Sequence, residues 1–323
     1  MSFQNAKVVG KDVDPRSYHD QGIARGEAAF PVSPSMLKEF ARCPARWIDG
    51  YQPPETQAKD WGNLLDTLLL TPKLFSKRYA IQPAEYKSEK GEVRPWNNNA
   101  NVCKEWREDQ IGKEIISAKE YGSAKTAVER LGSDEIIHSF LEDSDSQVLV
   151  EGQWKDEKTG LVIPVRCLMD LVPRLDTEFA KCLGDLKSTR TAALMPFQRF
   201  CFEIGYHVQA AFDTDLYVAA TGEDRVTWCF IIQESYPPWQ TGKRMLSQDF
   251  LDLGRADYKQ WLSNYCWCLK NSHWPDYDET DEAIQGWSLV APEPWMATRG
   301  QFAPKFVMET EPETEQETED VVP

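Results

Sequence analysis

Two apolar runs near the middle of the chain each close on a carboxylate. "LVIPVRCLMD" (161–170) ends at Asp170, and "CLGDLK" (182–187) carries Asp185 two residues before Lys187. Both runs have the length of buried strands, and the first is rich in β-branched residues. Side chains two apart on a strand share a face, so Asp185 and Lys187 point the same way. Paired as an antiparallel hairpin, the two strands bring Asp170 alongside Asp185. Acids converging at a sheet edge repel one another unless something neutralises them. Few folds accommodate such a pair, so this feature constrains the chain more than any other.

The surrounding pattern supplies the rest of a sheet. "QVLVEGQWKD" (147–156) reads as a strand before the turn "EKTG". A long helical stretch (193–222) follows the third strand, and "DRVTWCFIIQES" (224–235) is a further buried strand. From residue 147 the order is β-β-β-α-β, preceded by helices at 33–51, at 58–72 and between 100 and 142. That order predicts an α/β (α+β) fold, a mixed central sheet flanked by helices with a helical N-terminal portion. Residues 1–32 read as a flexible arm and 33–305 as one domain, with a helical front part (33–146) and a sheet core (147–275). The segment 306–323 reads as a disordered acidic tail.

Charge narrows the function classes. The formal net charge is −16 over 323 residues, which argues against a nonspecific nucleic-acid coat. Seven of the acids fall in "ETEPETEQETED" (309–320), however, and a locally basic or cation-holding cleft can still take DNA. The start "MSFQNAKVVGKDVD" has no apolar core of a signal peptide, and no apolar run approaches membrane-spanning length. A cytoplasmic protein with no membrane association is expected. Its eight cysteines then read as reduced, buried thiols. An iron–sulfur cluster through Cys43, Cys266 and Cys268 is the weaker alternative, since it wants four thiolates.

The paired acids suit a hard divalent cation with oxygen ligands, Mg²⁺ or Mn²⁺. The carbonyl of Leu186 lies beside them as a neutral ligand. Lys187 can steer the attacking water or hold a phosphate as a point charge. Asp66 is a third candidate ligand, a carboxylate among five leucines in "WGNLLDTLLL". The competing reading makes Asp66 part of the polar stripe of its helix, and D-x-K a solvated strand end.

From about residue 33 to 275 the chain resembles the RecE-like (exodeoxyribonuclease VIII-type) exonucleases of phages and prophages, within the PD-(D/E)xK superfamily. The resemblance rests on the order and spacing of "SPSMLKEFARCPARW", "WGNLLDTLLLTP", "EGQW…TGLVIPVRCLMDLVP", "GDLKSTR" and "YHVQAAF". It implies a restriction-endonuclease-like core and metal-dependent 5′→3′ digestion of double-stranded DNA ends, leaving 3′ single strands for recombination by annealing. It also implies a RecT-like single-strand annealing partner and, in some members, a homo-oligomeric ring. Asp170 and Asp185 match the metal-binding acids, Lys187 the motif lysine, Glu151 an acid of the first core strand, and Gln209 a glutamine on the helix behind the site. Tyr206 and His207 go with that helix as packing or positioning groups. The chain departs from the pattern at Asp66, where a histidine is usual, at Met169, where a proline is common, and at Asp213, where a tyrosine is frequent.

DNA contact needs cations near the cleft. Candidates are Arg42, Arg46, Arg166, Arg190 and Arg199, with Lys38 beside them. Trp47 and Trp61 read as core residues before wedges. Two other classes remain open: a catalytically weakened DNA-binding or regulatory relative, suggested by Asp66, and a metal-dependent nucleotide phosphohydrolase.

Overall fold

The computed structural model describes residues 3–19, 22–88, 90–280, 283–284, 287–288 and 290. Its centre is a six-stranded sheet: β1 (Phe3–Gly10), β2 (Ser144–Lys155), β3 (Val162–Pro173), β4 (Cys182–Thr189), β5 (Thr227–Glu234) and β6 (Thr241–Met245), lying side by side in chain order. Every neighbouring pair is antiparallel except β4–β5. A parallel pair needs a crossover, and helices α6 (Leu194–Glu203) and α7 (Tyr206–Thr221) supply it. The expected order from residue 147 is thus observed, and the mixed α/β class with it.

Several helices precede α6, among them α1 (Pro34–Arg42), α2 (Pro44–Ile48), α3 (Gln57–Leu70), α4 (Ala118–Gly132) and α5 (Glu135–Glu142). The long α8 (Gln248–Asn271) follows the sheet. The helix expected over 33–51 breaks at Cys43, whose extended backbone precedes Pro44 as the ring of a proline demands. The helical stretch 193–222 breaks at Gly205, in the left-handed region at φ 69°. Residues 73–100 hold short strands: Tyr79–Gln82 pairs with Glu114–Ser117, and Glu85–Lys87 with Val93–Pro95.

The main core fills one face of the sheet, where Val148, Val150, Cys167, Phe230 and Ile232 meet Phe212 of α7 and Tyr258 of α8. A smaller cluster, Leu70, Leu131, Ile137, Phe140, Leu171, Leu186 and Ile231, fills the other. Cys266 and Cys268 are buried in the main core as small apolar groups.

The N-terminal segment corrects the expectation of a flexible arm. Residues 3–10 form the edge strand of the sheet, and Phe3 packs edge-on against Trp154 and Phe212 and stacks on Tyr258. Further on, Phe30 and Val32 are buried, and Val32 exchanges backbone hydrogen bonds with Pro164 and Arg166. Only Phe3 of the strand is buried, so no alternation marks it in sequence.

The described residues up to 276 form one compact unit, and those from 277 onward fall in a second. In the second, a helical turn (Tyr277–Thr280) and a two-residue pairing of Ala283–Ile284 with Trp287–Ser288 are described. The expected tail, 306–323, lies outside the described residues. Among the described residues no helix is long and apolar enough to cross a membrane.

Phe3→Ala tests the edge strand. It should lower unfolding stability in urea by about 3 kcal/mol, as loss of a buried aromatic does. An unchanged midpoint would restore the loose arm.

Candidate metal centre

The centre forms where β3 and β4 part. Leu171 pairs with Gly184, so the next residues along, Asp170 and Asp185, stand opposite each other. The ladder does not continue through them. Asp170 Oδ2 instead accepts the Leu186 N–H at 3.1 Å, and its Oδ1 accepts from Gln147 Nε2 at 3.0 Å. Gln147 lies across from Asp170 on β2, between the pairs Ser146–Leu171 and Val148–Met169, with φ 46°. Met169 packs in the main core and Leu171 in the smaller cluster, although residues two apart on a regular strand share a face. Strand alternation is therefore broken at Asp170, and the break turns its carboxylate toward β4.

Gly184 has a packing reason. A Cβ there would stand 2.5 Å from the Phe140 ring, so only glycine lets α5 close over the β3–β4 pair.

Asp185 is buried. Its Oδ1 accepts from Gln209 Nε2 at 3.4 Å, and its Oδ2 is paired with Lys187 Nζ at 2.5 Å. Lys187 also lies 4.6 Å over the Tyr206 ring. Burial opposes the lysine's charge, but Asp185, then Tyr206 and Asp170, hold its pKa above the ordinary value. Burial, with Asp185 and Asp66 adding like charge, pushes Asp170 well up. Asp66 on α3 is pushed up to about 7, first by burial and also by Asp185, against the pull of Lys187 and Arg78. It belongs to the same electrostatic cluster and is half-buried, not part of a solvated stripe.

Three acids thus share one ammonium. Among the described residues no three acidic, histidine or cysteine side chains converge as a ready metal cage. The donor chemistry nevertheless fits a hard divalent cation: three carboxylates supply oxygen donors in excess of the positive charge beside them. Asp66, Asp170 and Asp185 would hold it, with the Leu186 carbonyl. That carbonyl leaves β4 on the same side as the N–H bonded to Asp170.

Other sequence candidates fall elsewhere. Glu151 pairs across the sheet with Lys7 and Arg166, four residues along β3 from Asp170, so it stands apart from the cluster. Arg166, expected at DNA, is buried instead. Its guanidinium donates to the Tyr18 carbonyl and lies 4.4 Å over the Tyr18 ring. Arg42 is bound to Glu39 at 2.5 Å, and Arg46 lies 4.2 Å over Tyr51. Arg190 and Arg199 are exposed. Trp47 is buried in the main core, and Trp61 packs against the cluster of Leu64 and Leu65.

Three functional neighbours were missed or underweighted in sequence. Gln147 orients Asp170, and only the strand register reveals it. Tyr206 stands between two ammonium groups, Lys187 and, at 5.7 Å, Lys38. Asp213, one turn after Gln209, is buried, and its pKa is pushed up to about 8 by burial and then by Asp185.

Breaking the central pair should be costly. Lys187→Met should destabilise the chain in urea, without divalent ions, by about 3 kcal/mol. Adding Asp185→Asn should restore most of that loss. A single variant as stable as the parent would remove the pair from this account.

A family model described as a PDDEXK-like domain of unknown function (DUF3799) matches residues 33–286. No curated protein sequence matches the chain. Among solved structures, the fold is similar to that of a protein from Eubacterium rectale described as a "putative exonuclease". The TM-score is 0.53 at 15% identity, covering 90% of this chain and 99% of that one.

Proposed function

We propose, for a chain that belongs to the PDDEXK-like DUF3799 family, a divalent-metal-dependent exodeoxyribonuclease acting on the ends of linear duplex DNA. One observation carries the reading. Asp170 and Asp185 stand opposite each other where β3 and β4 part, with Lys187 at 2.5 Å from Asp185 and Asp66 in the same field. A nuclease is what family membership supports. The E. rectale protein, so described, lends the exonuclease reading by likeness of fold.

When bound by the acids, Mg²⁺ or Mn²⁺ supplies Lewis-acid polarisation of a phosphoryl oxygen and of the attacking water. The chain's own residues prepare the rest. Gln147 and the Leu186 N–H hold Asp170 in place, and Gln209 holds Asp185. Lys187, 2.5 Å from Asp185, is placed to present a positive charge to the phosphate. The 5′→3′ polarity, the generation of 3′ strands for annealing, a RecT-like partner and a ring-shaped oligomer extend the proposal on the strength of the sequence resemblance. Asp66 in the cluster favours an active centre over the weakened relative, because it adds an oxygen donor where the family pattern has an imidazole.

The test is digestion of linear duplex DNA with Mg²⁺ or Mn²⁺. Lys187→Ala and Asp170→Asn should each lower the rate roughly 100-fold or more, and chelation should abolish it. Degradation that survives Lys187→Ala would overturn the assignment. Release of phosphate from free nucleotides alone would place the chain with phosphohydrolases.

A further inference from the structure

A cavity of about 210 Å³ opens between α1, α6, α7 and α8, lined in part by Lys38, Arg42, Phe202, His207, Asp257 and Trp261. Lys38 connects it to the metal centre, because its ammonium feels Lys187 and Asp185. Among the described residues Lys38 forms no ion pair or hydrogen bond, and its polar contact is the Tyr206 ring. Its stem lies along the start of α7. A Cβ on Gly205 would come 2.8 Å from Lys38 Cδ, so that glycine leaves the lysine its place. The other charges of the wall are mostly taken. Arg42 is bound to Glu39, and His207 Nε2 lies 3.2 Å from Asp257. Glu203 is exposed. Burial and the nearby Lys187 push the Lys38 pKa down to about 8.

The opposite side of the cavity is aromatic. Phe202 stacks on the His207 ring at 5.4 Å and 18°, and remains 56% exposed. His207 is buried and fixed between Asp257 and the Cys201 carbonyl. Phe202 is therefore a ring with a rigid backing and an open surface. An unpartnered ammonium near such a ring, in a space of this size, matches the phosphate and base of a single nucleotide. A base inside a duplex has both faces stacked already, so only an unpaired one can lie on Phe202.

We propose that this cavity takes one unpaired nucleotide of a DNA strand, its phosphate on Lys38 and its base on Phe202. Its place beside the scissile position rests on the nuclease reading; its capacity to bind does not. The test is therefore equilibrium binding of a 2-aminopurine-labelled single strand to the full chain in EDTA, where no cleavage occurs. Phe202→Ala should weaken binding roughly tenfold and remove the stacking signature of the fluorophore, and Phe202→Trp should keep both. Lys38→Ala should lose a similar factor and Lys38→Arg recover it. Binding by Phe202→Ala and Lys38→Ala equal to the parent would overturn the proposal. So would an equal loss on blunt duplex DNA. A chain that binds the single strand this way yet never cuts DNA would sink the nuclease reading and leave this one standing.

Discussion

The arrangement turns on a desolvation problem. Asp66, Asp170 and Asp185 sit in one field with a single compensating ammonium, Lys187. Removing a charge from water costs several kcal/mol even after the protein relaxes, and like charges nearby add to that. The surrounding hydrogen bonds offset part of the cost: Leu186 and Gln147 donate to Asp170, and Gln209 donates to Asp185. The sheet gives up a regular β3–β4 ladder to make them. The backbone at Gln147 takes a left-handed conformation, and alternation fails at Asp170. Non-glycine residues reach that region at a cost of order 1–3 kcal/mol, and such strain concentrates where geometry matters to chemistry.

The same constraint explains what could be read from sequence. The acids and the lysine close apolar runs, and strand periodicity puts Asp185 and Lys187 on one face without any knowledge of the fold. Asp66 stood out because a carboxylate among leucines needs a partner. Gln147 did not, because a glutamine at a strand start is ordinary. Its meaning lies in the pairing of β2 with β3, fixed by the turn around Gly160 some way down the hairpin. Arg166 misled for the opposite reason. An arginine on the strand of Asp170 looks like a phosphate ligand, but alternation and the close approach of Tyr18 and Val32 turn it into an internal tie. Tyr18 and Val32 belong to the segment that composition alone made a loose arm. A strand that buries one residue out of eight leaves no periodic trace.

Asp213 and Cys167 extend the polar cluster into the main core. Burial first, and then Asp213, raises the Cys167 thiol well above its ordinary value, so a neutral sulfhydryl faces the acid. The polar path from Gln209 down α7 to Asp213 is continuous with the base of the centre, so apolar packing and carboxylate geometry are set by the same helix. Gly254 of α8 sharpens this, since a Cβ there would collide with the His207 backbone and push α7 toward the sheet.

Electrostatics places a final demand on a chain of net charge −16 that would act on a polyanion. Phosphate neutralisation dominates DNA affinity, and each cation engaged adds about one unit of salt dependence. Of the candidate cations near the centre, Arg166 is buried, Arg42 and Arg46 are engaged with Glu39 and Tyr51, and Lys38 lies over the Tyr206 ring, while Arg190 and Arg199 are exposed. Divalent cations held by Asp66, Asp170 and Asp185 would then serve binding as much as chemistry, turning the most acidic part of the cleft into its attractive part. On this argument the excess of carboxylates around Lys187 becomes a binding feature, and DNA affinity should depend on the metal more steeply than on any single arginine.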